Sequence, residues 1–360
     1  MSDYEAIMNE EVERVNEALA DYFESRITEI GRLGPIHKQY YNVVKEYLMR
    51  GGKRLRPVLV VGGYKAVNGS DAPKSLYLAS CSVELLHNGS LLHDDLIDHD
   101  ETRRGGKTIH AYYRDWFQEK TSSPRAKAED FGMAMAILGG DSLLNMGAQV
   151  ITSARLDPGT TVRCLQYYQS AYHDLADGVL LEMHLVQQPQ TSAEVYLDMI
   201  RMKTAVLMEK SLLIGGAIAD ATTTQLGALS KFGVKVGQAF QVQDDILGSF
   251  GDEEVTGKPA DGDIREGKKT LLVIESFNRA DSTQSKSLKE LLGKSGMSSE
   301  EVDTVRDLFR ETGALPEAER MMEQLLEEGQ SALDEADPAF DKKYHQFLLD
   351  LSEFLIHRKY

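Results

Sequence analysis

Cysteine is nearly absent from this sequence, with two residues, Cys81 and Cys164, in a chain of 360. Both lie in apolar stretches with helical spacing, so neither a disulfide framework nor a cysteine metal site is expected, and each reads as a small buried hydrophobe. Positive charge is also scarce: 40 Lys and Arg stand against 57 Asp and Glu, for a formal net charge of -17. Neutralising nucleic-acid phosphates needs the opposite balance, so no nucleic-acid partner is expected. An anionic small molecule would have to be met by a local basic cluster or through a bridging metal ion. No apolar run approaches the roughly 20 residues of a membrane-spanning helix, and the stretch MSDYEAIMNEEVERV is acidic where a signal peptide would be basic and then apolar. The expectation is a cytoplasmic protein that does not span a membrane.

Period-2 alternation flanked by turn signals is missing as well, whereas apolar residues recur at helical spacing almost everywhere. The 42% hydrophobic content is ample for a large core. The pattern therefore predicts an all-α chain. A helix ends near Met49 before Gly51-Gly52, and a new apolar run starts at Pro57. A long helix spans about 74 to 98, and others fit 127 to 154, 160 to 187, 223 to 247, 270 to 280, 316 to 335 and 340 to 357. Thr191 with Glu194, and Ser298 with Glu301, have the spacing of capping boxes. The Gly, Lys and Asp-rich stretch 248 to 269 reads as a long loop. No Pro/Ser-rich linker divides the chain, so one helical domain over 1 to 360 is expected.

Asp94, Asp95 and Asp98 fall late in the 74 to 98 helix, far from the N-terminal turn that would favour carboxylates. Clustered there, they repel one another unless something positive compensates. Asp94 and Asp98 share a helical face, while Asp95 stands about 100° around the axis. Magnesium takes one or two carboxylates together with waters and phosphate oxygens, so DDxxD can bridge a negative protein to a diphosphate. A solvated acidic helix end is the alternative. Asp244 and Asp245 repeat the pair 150 positions after Asp94 and Asp95, in QVQDDILG against LLHDDLID, with Gly248 where the third carboxylate would fall. Gly51-Gly52-Lys53-Arg54-Leu55-Arg56-Pro57 offers three cations in four residues, and Arg103-Arg104 follows the first acidic cluster; both suit phosphate, and both suit an ordinary solvated surface. His87 lies about two turns before Asp94, either to hydrogen-bond a diphosphate or as a satisfied core histidine.

In this order, GGKRLRP, His87 with LLHDDLIDHDETRRG, Lys203-Thr204, and FQVQDDILGSFGDEEVTGKPADGDIREGKKT resemble the trans-prenyltransferase family of polyprenyl synthases, from about residue 40 to 275. The resemblance implies a single large helical bundle around a central cavity, the isoprenoid synthase type I fold. It implies head-to-tail condensation of isopentenyl diphosphate with an allylic diphosphate. Lys53, Arg56, His87 and Arg104 would grip isopentenyl diphosphate. Asp94, Asp98 and Asp244 would ligate three magnesium ions on the allylic diphosphate, assisted by Asp95 and Asp245. Arg103, Lys203 and Lys258 would contact that diphosphate. Thr204 and Gln241 would line the developing allylic cation, and Lys268 would help the 248 to 269 loop close as a lid. A homodimer is the family's usual assembly.

Gly248 departs from the many relatives that carry a third aspartate. Gly89 and Ser90, five and four residues before Asp94, stand where the family's product tail is stopped. Both are small, so a product longer than C15 is expected, C20 geranylgeranyl diphosphate first; close helix packing is the other use of small residues there. A class I terpene cyclase would not need the second set of cations, and a regulatory subunit with this fold would be expected to have lost aspartates from the first cluster.

Overall fold

The computed structural model describes residues 3–69, 72–188, 191–251 and 261–357. Their contacts divide the chain into two compact units, Met1–Gln169 with Ser211–Ala221, and Ser170–Lys210 with Thr222–Tyr360. The all-α expectation holds in both, and among the described residues no helix is long and apolar enough to cross a membrane.

The first unit contains α1 (Asp3–Ile30), α2 (Pro35–Met49), α3 (Leu55–Asn68), α4 (Lys74–Ile97), α5 (Ile109–Thr121), α6 (Arg125–Ser153), the first part of α7 (Pro158–Val186) and residues 211–218 of α9 (Val206–Ile218). Its spine is α4, which packs on α6, α3 and α1 and buries Leu76, Val83, Leu85, Leu86 and Leu92. A helix apolar on nearly all sides belongs inside a core. Each fully buried Leu or Val contributes about 1.5–3 kcal/mol, which outweighs the few tenths lost at each helical aspartate further along. Cys81 and Cys164 are buried and unbridged, as expected.

The second unit holds the rest of α7, α8 (Ala193–Ile200), a π-helical turn at Arg201–Ala205, the start of α9, and α10 (Thr223–Phe250). It continues through α11 (Gly262–Glu266), α12 (Leu271–Arg279), α13 (Ser282–Leu291), α14 (Ser299–Glu311), α15 (Ala314–Ala332) and α16 (Lys342–Ile356). Here α10 is the spine, burying Phe232, Val236, Val242 and Ile246 and packing on α15. The Ser298–Glu301 capping box is present. At α8 the cap is Ser192, accepting from the Val195 amide, one residue later than the sequence pattern placed it.

Two further boundaries differ from expectation. The 248 to 269 stretch is not loop throughout, because α10 runs on to Phe250 and residues 262–266 form α11; residues 252–260 lie outside the described set. The last turn of α10 is pinned to α14: Phe250 meets the Phe309 ring edge-on at 6.2 Å, and Arg306 Nε donates to the Ser249 carbonyl at 2.7 Å. The segment after α4 forms a small hairpin, β1 (Thr102–Arg103) against β2 (Gly106–Lys107). Its two central residues, Arg104 and Gly105, both have positive φ (51° and 73°), the requirement of a type I′ turn. Two-residue strands are too short to register as alternation.

Helices α3 and α9 approach at glycine. A Cβ built on Gly215 would lie 2.0 Å from the Val60 carbonyl oxygen, and one on Gly63 would lie 2.5 Å from that of Leu212. Since backbone cannot yield as a flexible side chain does, Gly215→Ala is expected to cost at least the ~1–3 kcal/mol of overpacking, read as an earlier midpoint in urea unfolding with an unchanged slope.

Candidate active site

In the first unit, the GGKRLRP segment splits its cations between two tasks. Arg54 adopts φ 49° as the residue before α3 and turns inward, 3% exposed. Its guanidinium donates to Glu84 (2.7 Å), Asn16 (2.8 Å) and the Leu48 carbonyl (3.1 Å). Lys53 is exposed and Arg56 half-buried. Glu84 also accepts from Asn88 Nδ2 at 3.0 Å, and Arg104 Nη1 donates to the Gly51 carbonyl at 3.2 Å and reaches Asn88 Oδ1 at 3.5 Å. A polar network thus fastens the basic segment and the hairpin arginine to the middle of α4. Arg54, Glu84 and Asn88 were not singled out by sequence reasoning, because nothing in a run of cations says which one points inward.

His87 stands among these cations. Desolvation first, and then Arg56, Arg104, Arg103 and Arg54, hold its pKa well below the ordinary value, so the ring is neutral in the unliganded protein. Desolvation, together with Arg54 and Arg103 and against the pull of Glu84, also lowers the pKa of Arg104. Cations gathered around a half-open histidine favour an anion beside it.

The first acidic cluster is not uniform. Asp94 is half-buried and Asp98 exposed at the C-cap of α4, whereas Asp95 is 1% exposed. Tyr47 Oη donates to Asp95 Oδ2 at 2.7 Å, and Arg103 Nε pairs with the other oxygen. Burial raises the Asp95 pKa against the lowering pull of Tyr47 and Arg103. Among the small residues before Asp94, Gly89 fits closely against α6: a Cβ there would meet the Gly140 carbonyl oxygen at 3.1 Å. Ser90 is buried, its hydroxyl donating to the His87 carbonyl at 2.8 Å.

The second unit repeats the division. Asp244 is half-buried and Asp245 is 3% exposed. Tyr196 Oη donates to Asp245 Oδ2 at 2.7 Å; Gln241 Nε2 donates to Oδ1 at 2.9 Å, and Lys268 Nζ lies 3.5 Å from it. Gln241 Oε1 in turn accepts from Thr204 Oγ1 at 2.7 Å. Lys203 and Thr204 sit on the π-helical turn, where Lys203 pairs with Glu182 of α7. That turn is flanked by glycines: a Cβ on Gly178 would lie 2.6 Å from Lys203 N, and one on Gly237 would lie 2.5 Å from Ala205 Cα. Single-turn π segments of this kind occur at functional sites more than elsewhere.

At Gly248 the space a side chain would take is filled, because its Cβ would lie 2.6 Å from Asp263 Oδ2. Lys268 is 3.6 Å from Asp263 and is held protonated, chiefly by Asp245. The Asp263 pKa is pushed up to about 6, by burial first and then by Asp245 against the opposing pull of Lys268. Lys258 lies outside the described residues.

Among the described residues no three His, Cys, Asp or Glu side chains converge as a ready-made cage. Asp94 and Asp98 in the first unit, and Asp244 in the second, each offer hard carboxylate oxygens in small number, a chemistry that suits magnesium when a phosphate supplies further oxygens.

Comparison with known proteins accords with this chemistry. The polyprenyl synthetase family model matches residues 37–309. The chain is 35% identical over 270 residues to the short chain isoprenyl diphosphate synthase of Methanocaldococcus jannaschii, covering 75% of this chain and 76% of that protein. It is 30% identical to the geranylgeranyl diphosphate synthase of Sulfolobus acidocaldarius over the whole of both chains. A crystal structure of geranylgeranyl pyrophosphate synthase from Corynebacterium glutamicum, complexed with isoprenyl diphosphate and magnesium, superposes with TM-score 0.87 at 29% identity, covering 96% of this chain and 98% of that one. The chain belongs to the polyprenyl synthetase family, and its helical fold is that of the family. It is a prenyltransferase of the prenyl diphosphate synthase type.

Two outcomes test the first unit. Removing one partner of a buried ion pair strands the other, so Glu84→Ala is expected to cost about 3–5 kcal/mol in urea unfolding. The depressed His87 pKa means that the unfolded chain binds the histidine proton more readily than the native one. Acidification from about pH 7.5 to about pH 5.5 therefore removes stability, most of it below about pH 6.5, and unfolding of His87→Gln at both ends of that range should show a smaller loss.

Proposed function

We propose that the chain condenses isopentenyl diphosphate with allylic diphosphates by magnesium-dependent chemistry that uses both acidic pairs, and that its product is longer than C15, C20 geranylgeranyl diphosphate first. The observation that carries the reading is the repeated division of labour at the acidic pairs, in which the buried second carboxylate is tied to a cation while the first is only half-buried. Asp94, Asp98 and Asp244 fit as the magnesium ligands, three ions in all by family resemblance. Bound magnesium supplies positive charge to the departing diphosphate.

The chain's own groups do the rest. Arg103, Lys203 and Lys268, with Lys258 by resemblance, receive the allylic diphosphate, and their attraction grows as the C–O bond breaks and charge collects on the leaving group. Lys53, Arg56 and Arg104, with neutral His87 as a hydrogen-bonding partner, hold isopentenyl diphosphate so that its double bond meets the allylic carbon in a fixed alignment. Thr204 and Gln241 present oxygen atoms beside the developing cation. The allylic C–O bond breaks with its electron pair going to the departing diphosphate, the isopentenyl double bond then bonds to the allylic carbon, and the proton lost from the isopentenyl unit passes, by family resemblance, to the released diphosphate.

A single domain over 1 to 360 is supported by the family match, which spans residues of both compact units. Family resemblance supports a homodimer, and the acidic MSDYEAIMNEEVERV stretch supports a cytoplasmic location. The smallness of Gly89 and Ser90 supports a product beyond C15, although the Gly140 carbonyl already occupies the space beside Gly89.

The test is chromatography of products from labelled isopentenyl diphosphate with C5, C10 and C15 primers, with and without magnesium. Turnover is expected only with both substrates and the metal, giving C20. Turnover of an allylic diphosphate alone would point to a cyclase and sink the proposal. Asp94→Ala is expected to lower kcat/KM by ~10²–10³, the scale of losing transition-state charge stabilisation.

A further inference from the structure

The two buried aspartates share a partner that the acidic motifs themselves do not contain. Tyr47 precedes Asp95 by 48 positions and Tyr196 precedes Asp245 by 49, and each phenol donates to Oδ2 at 2.7 Å. The four side chains are 2%, 1%, 0% and 3% exposed in the order Tyr47, Asp95, Tyr196, Asp245. In both cases the remaining oxygen, Oδ1, meets a cation, Arg103 in one and Lys268 in the other, where Gln241 Nε2 also donates to it at 2.9 Å. The phenol stands on the helix α2 in the first unit and on α8 in the second, followed each time by leucine, Leu48 and Leu197. One such contact could be an accident of packing. Its recurrence in two units, with a phenol on one oxygen and a cation on the other each time, is a repeated device.

A buried carboxylate oxygen that loses its hydrogen-bond donor is left unsatisfied, and a turn of the carboxylate to recover one frees the cation it was steering. With the phenol in place, one oxygen is satisfied and the plane of the carboxylate is set, so the second oxygen aims at Arg103 or Lys268. Arg103 is held further by Asp100 Oδ2 at 3.3 Å, and Lys268 by Asp263 at 3.6 Å. We propose that Tyr47 and Tyr196 are a matched pair of positioning residues, each locking the second aspartate of its pair so that this carboxylate orients a diphosphate-binding cation in place of ligating metal. The proposal rests on the prenyl diphosphate synthase reading, and it assigns Asp95 and Asp245 to the cations, leaving the metal to Asp94, Asp98 and Asp244.

The experiment uses Tyr47→Phe, Tyr196→Phe, Asp95→Asn, Asp245→Asn and the two matched double variants, with folding checked by circular dichroism. Calorimetry measures inorganic pyrophosphate binding in the presence of magnesium, and steady-state kinetics give kcat and KM for the allylic substrate. Each Phe variant is expected to bind pyrophosphate at least ~10-fold more weakly, the scale of a lost hydrogen bond to a charged group. Each Phe and Asn pair is expected to be non-additive, the double variant being little worse than the worse single one.

Phe variants that bind pyrophosphate within twofold of the wild type, or matched pairs whose effects simply multiply, would overturn the proposal, since a packing role predicts both. If a Phe variant fails to fold, the Asn variant that keeps the phenol takes its place, and wild-type pyrophosphate affinity there overturns the proposal equally. Failure of the wild type to condense the two substrates would instead remove the functional reading beneath it.

Discussion

A carboxylate inside a helical core is costly unless its lone pairs are filled and its charge is met. Asp95 and Asp245 meet that constraint in the same way, with a phenol on one oxygen and a cation on the other. Much of the local architecture follows from it. The hairpin after α4 exists where Arg103 must turn back onto the helix, and its tight turn then presents Arg104 to the basic segment. In the second unit, α11 and the residues after it bring Lys268 and Asp263 back onto α10.

The π-helical turn serves a related end. An extra residue in a turn shifts the register of the helix beyond it, and here it sets Thr204 on Gln241 while two glycines let α7 and α10 close on the same turn. The chain of hydrogen bonds from Thr204 through Gln241 to Asp245 ends beside the Lys268 ammonium. Rigidity of this kind holds reacting groups in alignment, where much of the rate of a two-substrate condensation arises.

Helix positions were legible because 3.6-residue periodicity is a long-range pattern that averages over many residues, and α4, α6, α7 and α10 begin and end within a few residues of where it put them. The acidic pairs and GGKRLRP were legible because charge in an apolar helix or beside glycine is conspicuous. What stayed hidden depends on direction. Arg54 and Lys53 are adjacent cations in the sequence, yet one is a buried strut and the other is exposed. Tyr47 and Tyr196 look like ordinary core aromatics, since no local signal marks a phenol that will meet a carboxylate almost fifty residues later. The hairpin and the π turn are shorter than any window over which a period can be read. The cap of α8 moved by one residue because Thr191 and Ser192 are chemically alike and only backbone geometry chooses between them.

At Gly248, counting carboxylates along the motif undercounts them in space. Asp263 enters from fifteen residues downstream and occupies the volume a side chain at 248 would claim, already engaged with Lys268. The glycine is thus a vacancy filled by a visitor, and a side chain placed there would have to push the Asp263 carboxylate aside. A carboxylate supplied from fifteen residues away keeps acidity beside the pair, so a motif that looks incomplete on paper need not be short of charge in space.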